Sequence, residues 1–182
     1  MDAMNVMDVR LQQMEFDAAS DDPGSWLISA LTLWDASRRL HPTEQPSRDG
    51  EMFLQSVFYM LLALSFENLL KGMMVLQGKP VSVNNKLNPY FARHGLERYA
   101  EEIDPEIFDI NCNEMALLKR LEPYLTYAGR YPIPKKPSDV AALVGYSNHE
   151  HEAADVFWKR LYTHLKKHGW ITKIDGSRLP MR

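Results

Sequence analysis

The sequence predicts an all-α fold: a single domain, residues 1–182, built as a bundle of about five to seven helices around a long central apolar helix. Three observations support this prediction. Residues 52–76 form the most apolar segment of helical length. Most other segments repeat their apolar residues at helical spacing. No segment alternates apolar and polar residues over the length of a strand, and no internal repeat is present.

Length and composition limit the classes of function. The 182 residues with 45% hydrophobic content suffice for one domain with a full core. A net charge of −3 argues against a protein that coats nucleic acid, so any such contact must be local. Cys112 is the only cysteine, which excludes an intramolecular disulfide and a cysteine-rich zinc site. Without a basic, apolar leader we expect a cytoplasmic protein, and we predict no metal or cofactor.

The central segment, Met52–Leu76, is apolar around nearly its whole circumference, as expected for a buried helix. Its longest unbroken apolar run, residues 57–64, is too short to cross a bilayer, so we predict no membrane span. Glu67 and Lys71 lie one i,i+4 step apart in the favourable order. A charged pair here is either a structural ion pair or one wall of a polar site, because an unpaired buried charge is too costly.

Helical periodicity and turn residues predict the remaining elements. The other predicted helices run from Met1 to about Ala19, from Trp26 to about Leu40, from about Tyr90 to Ile103, from Asp104 to about Ala128, from Ser138 to about Val144, and from His149 to about His168. Residues 81–89 are predicted to be a loop, and residues 170–182 a C-terminal tail. Pro123 predicts a bend, because proline lacks the backbone donor that a helix needs.

Arg93 and His94 form the first candidate site outside the central helix. Histidine changes charge near neutral pH, and an adjacent arginine supplies a fixed cation, so the pair suits acid–base chemistry. The structural alternative is a partly buried histidine that bonds a neighbouring helix end.

A second candidate lies in YAGRYPIPKK, residues 127–136. Arg130 and Lys135 can contact phosphate, and Tyr131 offers a face on which a base can stack, so this stretch is a candidate contact for RNA or a nucleotide. In the structural alternative, Arg130 pairs inside the bundle with Glu67 and the prolines only direct the chain.

His164 and His168 share a helix face but lack the glutamate of a zinc-protease motif, so they predict a solvated face. No motif of a hydrolase elbow, a phosphate-binding loop, a dinucleotide fold or a calcium loop is present.

From ALSFENLLKGMMVLQGK through the RHGL stretch to AGRYPIP, about residues 53–134, the chain resembles HEPN-like bacterial helical-bundle proteins. The resemblance rests on the ENLLKG central helix and the terminal GRYP turn. It implies a bundle that often forms a homodimer, in families linked to RNA cleavage, nucleotide binding, toxin–antitoxin pairs and phage defence. The matching polar positions are Glu67, Lys71, His94 and Arg130.

Active members of these families carry an arginine and, after four to six intervening residues, a histidine. That motif is absent here. Arg130 has no histidine downstream before His149, Arg93 is adjacent to His94, and only three residues separate Arg160 from His164. The resemblance therefore implies the fold and the polar positions, whereas ribonuclease activity lacks its motif. A cleaving enzyme of this kind would be metal-independent, with Arg130 stabilising phosphate charge and His94 acting as acid or base.

Two hypotheses follow. In the first, the protein binds RNA or a nucleotide in a polar cleft formed by Glu67, Lys71, Arg93, His94 and the Arg130 segment. In the second, it is a non-enzymatic interaction module whose methionine-rich and tryptophan-bearing helices dock a protein partner. The distances among Glu67, Lys71, His94 and Arg130 discriminate between them.

Overall fold

The fold of the computed structural model is an all-α bundle, as predicted. The structure describes residues 10–16, 19, 22–40, 51–84, 86–128, 148–173 and 177–181. The helices in these ranges are α1, described over residues 10–16, then α2 Pro23–Arg39, α3 Glu51–Leu76, α4 Leu96–Glu101, α5 Cys112–Pro123 and α6 Asn148–His168. Two small hairpins accompany them: β1 Ser82–Val83 with β2 Lys86–Leu87, and β3 Trp170–Thr172 with β4 Arg178–Pro180. The predicted helix after Ser138 lies outside the described residues.

The central helix α3 forms the middle of the core and packs against α2, α4, α5 and α6. Its fully buried side chains include Phe58, Tyr59, Phe66, Leu69, Leu70, Met73 and Met74. Residues 55–76 are long and apolar enough to cross a membrane by length and composition alone, and 72% of the most apolar part is buried inside the fold. This burial matches the core helix that the sequence predicts.

Two glycines shape the C-terminal half of α3. At Gly72 an added Cβ would lie 2.6 Å from Leu165 Cδ2 of α6 and 3.3 Å from Trp26 Cβ of α2, so the missing side chain lets three helices approach closely. Gly78 has φ +83°, and the Lys79 N–H donates to the Met74 carbonyl at 3.0 Å. This is a left-handed helix end of the Schellman type, which glycine adopts without strain.

Helix α5 begins later than predicted. Asp104 starts only a turn, and the helix begins at Cys112, where the Asn111 side chain accepts from the Glu114 N–H and the Glu114 carboxylate accepts from the Asn111 N–H. This reciprocal capping box satisfies the first free amides of the helix. After Pro123 the chain continues as a π-helical turn, Tyr124–Ala128, which is where the sequence predicts a bend.

Helix α4 is shorter than the predicted helix from Tyr90 to Ile103, since it spans only Leu96–Glu101. Residues 89–93 form turns instead, and they follow the β1–β2 hairpin in a stretch predicted to be a loop. Leu96 and Tyr99 are fully buried and hold this short helix against α3. The histidine of the RHGL stretch therefore lies in the turn before the helix.

Residues 170–182, which the sequence predicts to be a C-terminal tail, contain the antiparallel β3–β4 hairpin, in which Ile171 pairs with Leu179. The hairpin packs on the start of α2. An added Cβ at Gly24 would lie 2.8 Å from Ile171 Cγ1 and 3.1 Å from the Trp170 carbonyl oxygen. Close packing of this kind makes the segment a part of the folded unit.

A buried polar chain joins three helices. Trp158 Nε1 of α6 donates to Ser65 Oγ of α3 at 2.7 Å, and Ser65 Oγ donates to the Ala30 carbonyl of α2 at 2.7 Å. The Trp158 ring also stacks on Trp34, with ring centroids 4.3 Å apart and an interplanar angle of 17°. These contacts fix the positions of α2, α3 and α6 relative to one another.

Candidate functional site

The candidate site is centred on the Glu67 carboxylate, which is 2% exposed. Lys71, one turn further along α3, places its Nζ 3.2 Å from Glu67 Oε1. His94, from the turn before α4, places its Nδ1 3.1 Å from each carboxylate oxygen of Glu67. Three of the four positions that the sequence predicts to converge therefore meet at one carboxylate.

Lys71 is held in an apolar and aromatic environment. Its Nζ lies 5.6 Å from the centroid of the Trp26 ring and 5.5 Å from that of the Tyr99 ring, both within cation–π range. Burial lowers the pKa of Lys71 from its ordinary value of 10.5, and the charge of Glu67 opposes that shift. The ammonium group thus depends on Glu67 as its anionic partner.

His94 differs from Lys71 in its access to solvent, since its side chain is 39% exposed. A carboxylate can only accept, so in this contact His94 Nδ1 carries the proton and donates to Glu67. Among the described residues Nε2 has no hydrogen-bond partner, which leaves that nitrogen for a ligand. A buried carboxylate that orients an imidazole and leaves its second nitrogen available is an arrangement suited to proton transfer or to binding a polar group.

The turn that carries His94 is tied to α4 by two side chains. Tyr99 Oη lies 2.8 Å from the Tyr90 carbonyl and 2.8 Å from the Arg93 carbonyl, and its single proton is shared between these two acceptors. Arg98 Nη2 donates to the Tyr90 carbonyl at 3.1 Å. Burial raises the pKa of Tyr99 to about 12, so its hydroxyl remains a donor at physiological pH.

A second polar group lies at the far end of this turn. Lys79 Nζ is 2.5 Å from Glu102 Oε2 and 5.0 Å from the centroid of the Tyr90 ring. The hydrogen bond from Lys79 lowers the pKa of Glu102, and burial raises the pKa of Tyr90. This ion pair is exposed and serves as a comparison for the buried Glu67–Lys71 pair.

The remaining predicted site residues divide into two sets. Arg93 is exposed and directly precedes His94. Arg130, Tyr131 and Lys135 lie outside the described residues, so the predicted approach of Arg130 to Glu67 stays a prediction.

The two histidines of α6, His164 and His168, have ring centroids 4.5 Å apart, and the His164 ring meets the edge of Phe108 at 5.2 Å. Part of this predicted solvated face therefore packs on an aromatic ring. Among the residues that the structure describes, no three His, Cys, Asp or Glu side chains are grouped as a metal site.

Sequence reasoning misses Trp26, Arg98 and Tyr99 as parts of the site. Trp26 is recognisable only as an apolar residue of a helix, and Tyr99 as a core position of α4. Their contacts with Lys71 and with the turn arise from tertiary packing, for which the local spacing of residues gives no signal.

No protein-family model, curated protein or solved structure matches this chain significantly.

Proposed function

We propose that this protein is a HEPN-like helical bundle that binds RNA or a nucleotide through its phosphate at the surface around His94. The observation that supports the proposal best is the contact between His94 Nδ1 and Glu67, 3.1 Å long, on a ring that is 39% exposed. A buried anion orients the imidazole, and its Nε2 is left for a ligand. Imidazolium and guanidinium groups are common donors to phosphate.

Arg93 extends this surface, because it is exposed and adjacent to His94. In the proposal, Arg130 and Lys135 add cationic contacts to phosphate and Tyr131 stacks on a base. Arg130 belongs to the proposed site through the sequence resemblance, and Tyr131 and Lys135 belong to it through their residue types in the same stretch. Binding is the proposed activity, in a bacterial defence or toxin–antitoxin type of system. Cleavage would use His94 for proton transfer and Arg130 for phosphate charge, without metal.

The test is binding of a labelled single-stranded RNA, with AMP as competitor, measured by fluorescence anisotropy at several salt concentrations. We expect His94→Gln to weaken binding about tenfold, which corresponds to about 1.4 kcal/mol. Arg93→Gln should weaken binding and reduce the salt dependence by about one counterion. His168→Gln, an exposed histidine on α6, is the matched control and should bind like the wild type. Failure of the wild type to bind RNA or nucleotide, or equal affinity of the two histidine variants, refutes the proposal.

A homodimer is the proposed assembly, and docking of a protein partner is the alternative function. Ile28 on α2 and Val156 on α6 support both, because these large apolar side chains are 61% and 60% exposed. Sedimentation over a range of concentrations tests the assembly, with Ile28→Ser and Val156→Ser each compared with the wild type. A wild type that stays monomeric at every concentration contradicts the dimer.

A further inference from the structure

The turn at residues 90–94 places His94 without the support of a regular helix. Backbone carbonyls in such a segment need donors from elsewhere, because an unpaired and shielded carbonyl is costly. The Tyr90 carbonyl has two such donors, Tyr99 Oη at 2.8 Å and Arg98 Nη2 at 3.1 Å. The Arg93 carbonyl has one described donor, Tyr99 Oη at 2.8 Å.

Because the Tyr90 carbonyl has two described donors and the Arg93 carbonyl only one, the Tyr99 hydroxyl matters most at the Arg93 carbonyl. If the hydroxyl is removed, the Tyr90 carbonyl keeps Arg98, whereas the Arg93 carbonyl loses its described partner. Arg93 directly precedes His94, so the lost hydrogen bond is the one that holds the peptide unit between them, and this peptide unit positions the imidazole. The Tyr99 ring itself is fully buried and would remain in place.

Arg98 supports the other end of the turn, at Tyr90. Its guanidinium carbon lies 4.8 Å from the centroid of the Tyr90 ring and 4.7 Å from that of the Tyr99 ring, so the cation is held between two aromatic faces. Its Nε is buried without a hydrogen-bond partner in the described part of the chain. Arg98 therefore anchors Tyr90, and among the described residues only Tyr99 reaches the peptide before His94.

We propose that Tyr99 is a positioning residue of the site: its hydroxyl fixes the Arg93 carbonyl and thereby holds the His94 imidazole against Glu67. The consequence for RNA or nucleotide binding rests on the proposed function. The positioning itself does not, because it concerns only the contact between His94 and Glu67. Tyr99 touches no ligand in this scheme and acts through the backbone.

The experiment compares Tyr99→Phe with Tyr90→Phe. Both variants remove one hydroxyl and keep the ring, but the Tyr90 hydroxyl contacts Met74 Sδ at 3.3 Å and no backbone carbonyl of the turn. The readout is the His94 Nδ1–H proton in ¹⁵N-resolved NMR, which a hydrogen bond to Glu67 shifts downfield and protects from exchange. We expect the wild type and Tyr90→Phe to show this proton, and Tyr99→Phe to lose it while keeping the dispersed spectrum of a folded protein.

A retained His94 Nδ1–H signal in Tyr99→Phe overturns the proposal, and so does an equal loss in both variants.

If Tyr99→Phe fails to fold, the Tyr99 hydroxyl proton in the wild-type spectrum tests the proposal instead. A slowly exchanging Tyr99 hydroxyl proton with a cross-peak to Arg93 supports the proposal, and a rapidly exchanging one overturns it. RNA affinity is measured separately. Loss of the imidazole signal in a protein that binds no RNA upholds the positioning and refutes the proposed function.

Discussion

At the residue scale, the Glu67 carboxylate has two partners with different properties. Lys71 is 7% exposed and depends on Glu67 for its charge, whereas His94 is partly open to solvent. Removing one member of a buried ion pair leaves the other as an uncompensated charge, which costs far more than the loss of an exposed pair. Glu67 therefore supports the fold through Lys71 and orients the site through His94.

We expect Glu67→Gln to lower the free energy of unfolding by about 3 kcal/mol, because Lys71 would remain buried without its anion. The matched control is Glu102→Gln, which breaks the exposed pair with Lys79 and should cost less than about 1 kcal/mol. Urea denaturation of both variants gives the comparison. Similar losses in the two variants would show that burial does not strengthen the dependence of Lys71 on Glu67.

His164 makes a prediction about pH. Burial lowers its pKa below the ordinary value of 6.5, and the charges of His168 and Lys167 act in the same direction. Around and below pH 6.5 the unfolded chain therefore binds more protons than the folded one, so stability decreases as the pH is lowered through that range. The thermal midpoint of His164→Gln should fall less between pH 7 and pH 5 than that of the wild type. Parallel curves for the two proteins would contradict the prediction.

The site was predictable from sequence only where its geometry is local. Glu67 and Lys71 lie one helical turn apart, so their spacing alone predicts their contact. The approach of His94 to Glu67 crosses from a turn to another helix, and only the resemblance brought these positions together. Tyr99 was not predictable, because its hydroxyl reaches back six residues to the Arg93 carbonyl, a distance that no helical or strand periodicity encodes.

At the element scale, the close approach of α3 to α2 and α6 depends on Gly72. An added Cβ would meet Leu165 Cδ2 at 2.6 Å, and Leu165 is fully buried with little room to move. This steric conflict outweighs the gain of about 1 kcal/mol that alanine usually brings within a helix.

We expect Gly72→Ala to lower the free energy of unfolding by about 1–2 kcal/mol. Adding Leu165→Val should recover part of this loss, since it removes the atom that clashes. Gly78→Ala is the comparison, because Gly78 has open space but φ +83°. Its expected cost of about 1 kcal/mol arises from backbone strain and should be unaffected by Leu165→Val. Urea unfolding of the single and double variants distinguishes the two causes.

Element boundaries were less predictable than the elements themselves. Asp104 and Pro105 resemble a helix start, yet the helix begins at Cys112, where Asn111 and Glu114 cap each other. In residues 90–94, backbone carbonyls accept hydrogen bonds from side chains of α4 rather than from backbone N–H groups of a helix. Helix α4 is therefore shorter than predicted. Strands β3 and β4 have three residues each, too few for an alternating pattern to be recognised. Strand β3 packs on α2, and β4 pairs with β3.

At the scale of the whole molecule, the Ser65 hydroxyl joins α2, α3 and α6 through one atom. It accepts from Trp158 Nε1 and donates to the Ala30 carbonyl, and it is fully buried. Its removal leaves a buried indole N–H without a partner, which typically costs about 1–3 kcal/mol.

Ser65→Ala should therefore lower the free energy of unfolding by about 2 kcal/mol. Ser37→Ala is the matched control. Ser37 is also fully buried, but its hydroxyl donates only to the Trp34 carbonyl within α2, so we expect a smaller loss. The double variant Ser65→Ala/Trp158→Phe should lose less than the sum of its single variants, because the unpaired donor is gone. Full additivity in denaturant titrations would contradict the link between α3 and α6.

The stacked Trp34–Trp158 pair also gives the molecule an optical signature. Two indole rings 4.3 Å apart are close enough to couple their electronic transitions, so we expect the circular dichroism of the indole bands to depend on this pair. One ring belongs to α2 and the other to α6, so this signal reports the docking of the two helices rather than their helicity. It follows the assembly of the bundle in real time without any label.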